Sequence, residues 1–354
     1  MSVRLLRRVG LFLLIALLVA ALAACGDDDK KSDNKPSGGA QQPAGLAQTS
    51  IQFSWVHNVE FIGFYAAEQQ GYYRDAGLQV RLGGGGFDES GAFIDPVQAV
   101  LDGKADFGVT GAHVLLAQRA EGAPIVAIGT IYQRSPVVLI ALSESGIARP
   151  QDLVGRRVST QPTNATVGLA YEALLAAQDI DRAQIQETMR TDFTSNPLFT
   201  GEAEVLAGFV TTEGVQVRQR DPKANFIMVS DYGIDIYSSV IFTTEDLIAS
   251  KPDLVRAFLQ ATMKGTQWAV EQPDQAVEDF LKSTYGQPYA AEREVHLLGM
   301  QSSIPLLVPA GGQPGVMDAD NWTFTHQTLL DLGLLTAPLD VEAAYTLDFL
   351  GAEA

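Results

Sequence analysis

The sequence is poor in the residues that metal and nucleophile chemistry most often use. It holds one cysteine, Cys25, and four histidines in 354 residues. A single thiol can close no internal disulfide and build no cysteine zinc cluster. His57, His113, His296 and His326 have no histidine or cysteine partner at metal-ligand spacing, and neither HExxH nor GxSxG occurs. Basic residues are also scarce, 24 Lys and Arg against 42 Asp and Glu, for a net charge of −18. A nucleic-acid partner is thereby excluded, because phosphate binding needs concentrated Lys and Arg. The glycine run at 83–86 is not followed by GK[ST] or by a helix start, so it reads as a flexible turn at a cleft edge rather than a phosphate loop. The carboxylates are plentiful but scattered, and no pair stands out as an acid and base. No catalytic residue, metal or cofactor is expected.

Long apolar runs are confined to the start of the chain. Residues 1–8 are basic and residues 9–24 form an unbroken apolar run of sixteen, short for a membrane span of about 30 Å. Together they read as a secretory signal over 1–24. Leu22-Ala23-Ala24-Cys25 resembles the bacterial lipobox, which implies lipidation of Cys25 and anchoring through acyl chains. Residues 25–49 are polar and rich in Gly, Ser and Pro, and they read as a flexible tether.

The folded part opens on residues 55–73, WVHNVEFIGFYAAEQQGYY, with six aromatic side chains in nineteen residues against 8% in the whole chain. Two readings compete for these rings: burial for their area, or presentation to a planar ligand. The local pattern predicts a strand over 51–56, a cap at Asn58, and a helix from about 60 to 70 that stops at Gly71. A strand over 77–82 follows, and Asp95-Pro96 then opens a helix with a capping carboxylate and a proline at the first helical position. Next come a strand at 107–109, the Thr110-Gly111 turn, a helix, and two β-rich runs at 123–133 and 136–142. A second set of units runs from 152 to 240, including a loop at 160–164 whose Thr163 or Asn164 is expected to cap a helix. The last third reads as helical, with an apolar stripe of Leu254, Phe258, Ala261, Gly265 and Trp268 and further helices over 273–282, 290–301, 318–333 and 340–349. Such alternation implies an α/β fold with mixed sheets.

Segments 55–80, 95–136, 148–160 (ARPQDLVGRRVST), 229–234 (VSDYGI) and 243–265 together resemble the NMT1/THI5-like group of substrate-binding proteins for ABC importers. That group is related to binders of nitrate, sulfonates, taurine, thiamine pyrimidines and riboflavin. The resemblance implies a type II periplasmic-binding-protein fold, two α/β lobes joined by two crossing segments with the ligand clamped between them. Lobe one is expected over 50–137 plus 240–354 and lobe two over 138–239. The implied function is capture of a small heteroaromatic vitamin or precursor, riboflavin favoured, for an ABC permease and its ATPase. The implied protein is a monomer outside the cytoplasmic membrane, touching that membrane through its lipid anchor alone. Trp55, Phe61, Phe64 and Tyr65 are the candidate ring-stacking residues, and Asn58, Thr110, Gln133, Thr160, Asn164 and Glu213 the candidate polar contacts. A thiamine-pyrimidine ligand is one alternative. An oxyanion such as nitrate or a sulfonate is another, and it would need Arg134 as a basic anchor. One branch of the group synthesises the thiamine pyrimidine with a histidine where Phe61 stands here and with a cysteine-rich motif, which leaves an enzyme as a remote reading. Pyrimidine binders often carry Trp-Asn before a lobe-two glutamate, whereas Thr211-Thr212 precede Glu213 here.

Overall fold

A computed structural model of the protein describes residues 45–190 and 194–351. Cys25, the signal segment and most of the tether lie outside those residues. The chain begins with β1 (Ala47–Gln52), α1 (Ile62–Gln69), α2 (Tyr72–Asp75) and β2 (Leu78–Gly83). It continues through α3 (Pro96–Leu101), β3 (Phe107–Thr110), α4 (Ala112–Ala120) and β4 (Ile125–Thr130). A second group holds β5 (Val137–Ala141), β6 (Arg157–Thr160), α5 (Thr166–Ala177), β7 (Gln186–Met189), α6 (Asn196–Thr200), β8 (Val205–Phe209), α7 (Glu213–Arg220) and β9 (Asn225–Met228). The chain then returns through β10 (Val240–Thr244) to α8 (Glu245–Ser250), α9 (Pro252–Glu271), α10 (Pro273–Lys282), α11 (Arg293–Leu307) and α12 (Ala319–Asp331).

Two five-stranded sheets result, ordered β2-β1-β3-β10-β4 and β7-β6-β8-β5-β9. Each is mixed: β10 runs antiparallel to β3 and β4, and β5 runs antiparallel to β8 and β9, while the remaining pairs are parallel. The central strands are continuous apolar runs because both faces are covered. Along β5, Val138 and Ile140 enter one core while Val137, Leu139 and Ala141 enter the other, the two-residue alternation of a strand. The edge strand β7 carries Gln186, Glu187 and Thr188 instead and is largely exposed.

The crossings between the sheets, residues 131–136 and 235–239, are tied to one another. Ile131 N–H donates to the Ser239 carbonyl at 2.8 Å and Ser135 N–H donates to Asp235 Oδ1 at 2.8 Å. Helices α1 and α9 cross in backbone contact. A Cβ at Gly265 would lie 2.2 Å from the Gly63 carbonyl oxygen, so neither position has room for a side chain.

Several local expectations shift. β1 starts at Ala47, inside the span read as tether, and ends at Gln52, because its partner in register is β2, with Ala47 opposite Leu78 and Gln52 opposite Gly83. Between Gly71 and the strand, Tyr72–Asp75 form a short helix that the sequence pattern did not announce. Helix α5 starts at Thr166 with Ala165 at its cap position, and Thr163 Oγ1 donates to Glu172 instead of capping. The span 340–349 holds a single short 3-10 turn, Glu342–Ala344, and then runs extended beside β4, where Tyr345 bridges Ala127 and Thr346 N–H donates to the Ala127 carbonyl at 2.9 Å.

Candidate ligand-binding cleft

A cavity of about 640 Å³, within the range of small-molecule sites, is lined by segments that belong to both sheets. Its wall on the first sheet's side comes from residues 54–60, from Phe93, Thr110 and His113, and from Tyr289 and His296. The facing wall comes from Gln161, Asn164, Thr166, Phe209 and residues 211–213, with Ser238 and Ser239 of the second crossing at the base.

The glycine run shapes the first wall. Gly85 N–H donates to the Trp55 carbonyl at 2.8 Å, and a Cβ on Gly85 would meet the Phe53 carbonyl oxygen at 2.3 Å. The run is therefore a bed against which residues 53–55 lie flat, a tighter role than that of a flexible turn. It leaves the Trp55 ring at the cleft, edge-on to Phe87 with centroids 5.8 Å apart. Asn58 then caps the following 3-10 turn: its Oδ1 accepts from Glu60 N–H at 2.7 Å and its amide nitrogen donates to the Val56 carbonyl at 3.0 Å. That cap turns Glu60 into the cleft, where Ser239 Oγ donates to its Oε1 at 2.6 Å. Burial outweighs this hydrogen bond and pushes the Glu60 carboxyl up to about 7.

Burial acts the other way on the imidazoles. His113 is pushed down to about 4, which the Asn164 backbone offsets only in part, and neither ring nitrogen reaches a hydrogen-bond partner of normal geometry. His296 is lowered by burial too, and its Nε2 is likewise unpartnered. Both histidines are thus neutral donor-acceptor groups at neutral pH. Among the described residues no Lys or Arg side chain lines the cavity, and no group of His, Cys, Asp and Glu could hold a metal ion.

The residues singled out from sequence divide. Trp55, Asn58, Thr110, Asn164 and Glu213 line the cleft. Phe61, Phe64 and Tyr65 do not: they are 0–2% exposed and pack into the hydrophobic core. Phe61 stacks on Phe53 with centroids 4.1 Å apart, and Tyr65 stacks on Phe280 at 4.7 Å while its hydroxyl meets His57 Nδ1 at 2.9 Å. Ring-stacking roles for these three give way to core packing. Thr160 is fully buried at the end of β6, away from the cavity, and Gln133 holds the end of α11 through the Leu307 carbonyl at 2.9 Å. Arg134 lies on a separate cavity of about 380 Å³, paired with Asp231 at 3.2 Å and with Asp235 at 3.9 Å, so it is not a basic anchor in the cleft. Glu213 lines the cleft but is committed to the protein. Its Oε1 pairs with Arg190 at 2.8 Å, and its Oε2 accepts from Phe209 N–H and Thr212 Oγ at 3.0 and 2.6 Å.

Sequence reasoning missed Glu60, His113, Phe209, Ser239, Tyr289 and His296. Ser239 and Glu60 are 179 positions apart, and no local pattern announces their hydrogen bond. One signal was available for Glu60, a carboxylate two residues after a capping asparagine in the aromatic-rich stretch.

Comparison with known proteins adds to this geometry. A family model described as NMT1/THI5 like matches residues 58–276. The riboflavin-binding protein RibY of Chloroflexus aurantiacus is 28% identical over 315 residues, covering 86% of each chain. The formylaminopyrimidine-binding protein of Halalkalibacterium halodurans is 23% identical, covering 87% of this chain and 92% of its own. Other relatives carry the name 4-amino-5-hydroxymethyl-2-methylpyrimidine phosphate synthase. Among solved structures, the periplasmic aliphatic sulphonate binding protein SsuA of Escherichia coli superposes with a TM-score of 0.64 at 14% identity, covering 84% of this chain and 91% of its own.

Proposed function

We propose that this chain, which belongs to the NMT1/THI5-like family and has the periplasmic-binding-protein fold, is the substrate-binding component of an ABC importer and captures a neutral heteroaromatic vitamin, riboflavin in the first place. The observation that carries the reading is the cleft itself: aromatic side chains on both walls, hydroxyl, amide, imidazole and carboxyl groups between them, and no Lys or Arg among the described residues that line it. Trp55 and Tyr289 on one side and Phe209 on the other offer faces to a planar ring system. The N-terminal ends of α4 and α5 offer backbone N–H groups to ring carbonyls. A tricyclic flavin with a polyhydroxylated chain uses a cavity of about 640 Å³ more fully than a single pyrimidine ring does. The relative named for riboflavin binding supports the same choice.

A nitrate or sulfonate ligand is disfavoured because Arg134 faces away and the cleft's carboxyl groups would repel an anion. A thiamine-pyrimidine precursor is the second reading, supported by the relative named for formylaminopyrimidine binding. Binding rather than catalysis fits Phe61, which stands where the synthetic branch has its histidine and lies under Phe53 in the core. Lobe closure, delivery to the permease and its ATPase, a monomeric state and anchoring at the outer face through Cys25 complete the proposal. Mass spectrometry of small molecules released from natively purified protein, paired with riboflavin titration, tests it. Released flavin or saturable quenching is the expected result. Failure of both, with an aminopyrimidine released instead, moves the assignment to the second reading.

A further inference from the structure

Four carboxyl groups line the cleft, and three are committed elsewhere or face solvent. Glu213 satisfies both oxygens with Arg190, Phe209 N–H and Thr212. Asp95 is exposed and caps α3 through Val97 N–H at 2.8 Å, and Glu292 is exposed. Glu60 differs. It is only partly exposed, its Oε1 accepts a hydrogen bond from the Ser239 hydroxyl, and its Oε2 makes no hydrogen bond among the described residues. A carboxylate has about four lone-pair sites, so Oε2 keeps acceptor capacity that a ligand in the cleft can use.

We infer that Glu60 is the specificity-determining residue of the cleft, the group that accepts an N–H from the bound ligand. The inference rests on the heteroaromatic-binding reading above and replaces Glu213 in that role. Its chemistry selects: in the ionised form Oε2 accepts from a ring imide N–H or an exocyclic amine, and in that form a lone pair or an anion presented there is repelled. The imide N–H of a flavin's pyrimidinedione ring has this character. Glu60 also reaches the junction of the lobes, because its partner Ser239 lies on the second crossing and the Ser239 carbonyl accepts from Ile131 of the first. A ligand held by Glu60 is therefore joined to the segments about which the lobes would close.

The test titrates riboflavin, and a flavin methylated at the imide nitrogen, into the protein and its Glu60→Gln and Glu60→Leu variants, following flavin fluorescence. Riboflavin affinity should fall by about tenfold or more in each variant. The methylated flavin should bind the wild type at least about tenfold more weakly than riboflavin, and the Leu variant should no longer tell the two apart. Thermal unfolding without ligand verifies that each variant is folded, the Gln variant being nearly isosteric. Equal riboflavin affinity in wild type and Glu60→Leu overturns the inference and leaves the riboflavin assignment standing. If the wild type binds no riboflavin, that assignment fails, and the molecule released from native protein becomes the probe. An N–H-bearing molecule whose occupancy is lost in Glu60→Leu still supports Glu60. A molecule without an N–H donor, equal occupancy in the variant, or no released molecule at all overturns it.

Discussion

Glu60 and Glu213 line the same cleft and have opposite surroundings. Glu213 sits against a guanidinium that is 1% exposed and takes two further donors, so its charge is fully answered by the protein. Glu60 has one hydroxyl and an otherwise desolvating environment, and its carboxyl rises to about 7. The difference teaches that lining a cleft is not the same as being available in it. The glutamate singled out from sequence is tied to Arg190, Phe209 and Thr212, and the one left with an open lone pair is part of the aromatic stretch.

Removing Arg190 should break this contrast most forcefully. Arg190→Ala leaves the Glu213 carboxylate buried without its counter-charge, and urea unfolding should show a loss of about 3–5 kcal/mol. An Arg190→Met, Glu213→Leu double variant should recover much of that loss. A small effect of Arg190→Ala would mean that Glu213 is not a structural tie.

The pH dependence of stability separates the two environments next. Glu60 is held at about 7 against an ordinary 4.5, so between those values the folded state keeps a proton that the unfolded chain releases, and this group's contribution declines as pH rises. His113 is held at about 4 against 6.5, so in that window the unfolded chain takes up a proton that the folded state refuses, and stability declines as pH falls. The two slopes oppose one another. Glu60→Gln should therefore expose stability that climbs from pH 4 to 6.5, and His113→Asn should expose stability that falls from pH 4.5 to 7, each by roughly 2–3 kcal/mol. The lowered His57 and His296 add to the climb. Identical pH profiles for wild type and both variants would remove the distinction between Glu60 and a solvated carboxylate.

Smaller effects sharpen the picture. Trp55→Ala should weaken riboflavin binding by up to about tenfold through lost ring contact, with little change in unfolding midpoint. Arg134→Ala should change stability by about 0–1 kcal/mol and leave riboflavin affinity unaltered, since its ion pairs are largely exposed and lie outside the cleft. A collapse of binding in that variant would restore the oxyanion reading.

Much of the fold was legible because its signals are local. Asp95-Pro96 caps and opens α3 as its residue types dictate, Gly71 stops α1 in the left-handed region, and the β-rich runs flanking Arg134-Ser135 became β4 and β5 in different sheets. The site was legible only in outline. Asn58 and Trp55 reach the cleft, yet Phe61, Phe64 and Tyr65 turn into the core, because the direction of α1 is set by its crossing with α9 at Gly63 and Gly265, about two hundred residues apart in sequence. An aromatic-dense stretch states that large area will be buried, not on which side.

By itself, the sequence determined most of the order of strands and helices, the acidic balance and the absence of metal or nucleophile motifs, all of which depend on residue type and short spacing. Tertiary structure decided which side chains see the cleft. It joined Glu60 to Ser239, gave Glu213 to Arg190 and withdrew Arg134 to another cavity, because burial and hydrogen-bond partnership are properties of groups brought together across the chain. A carboxylate's chemistry follows from what surrounds it, and in this cleft that separates two glutamates the sequence alone could not rank.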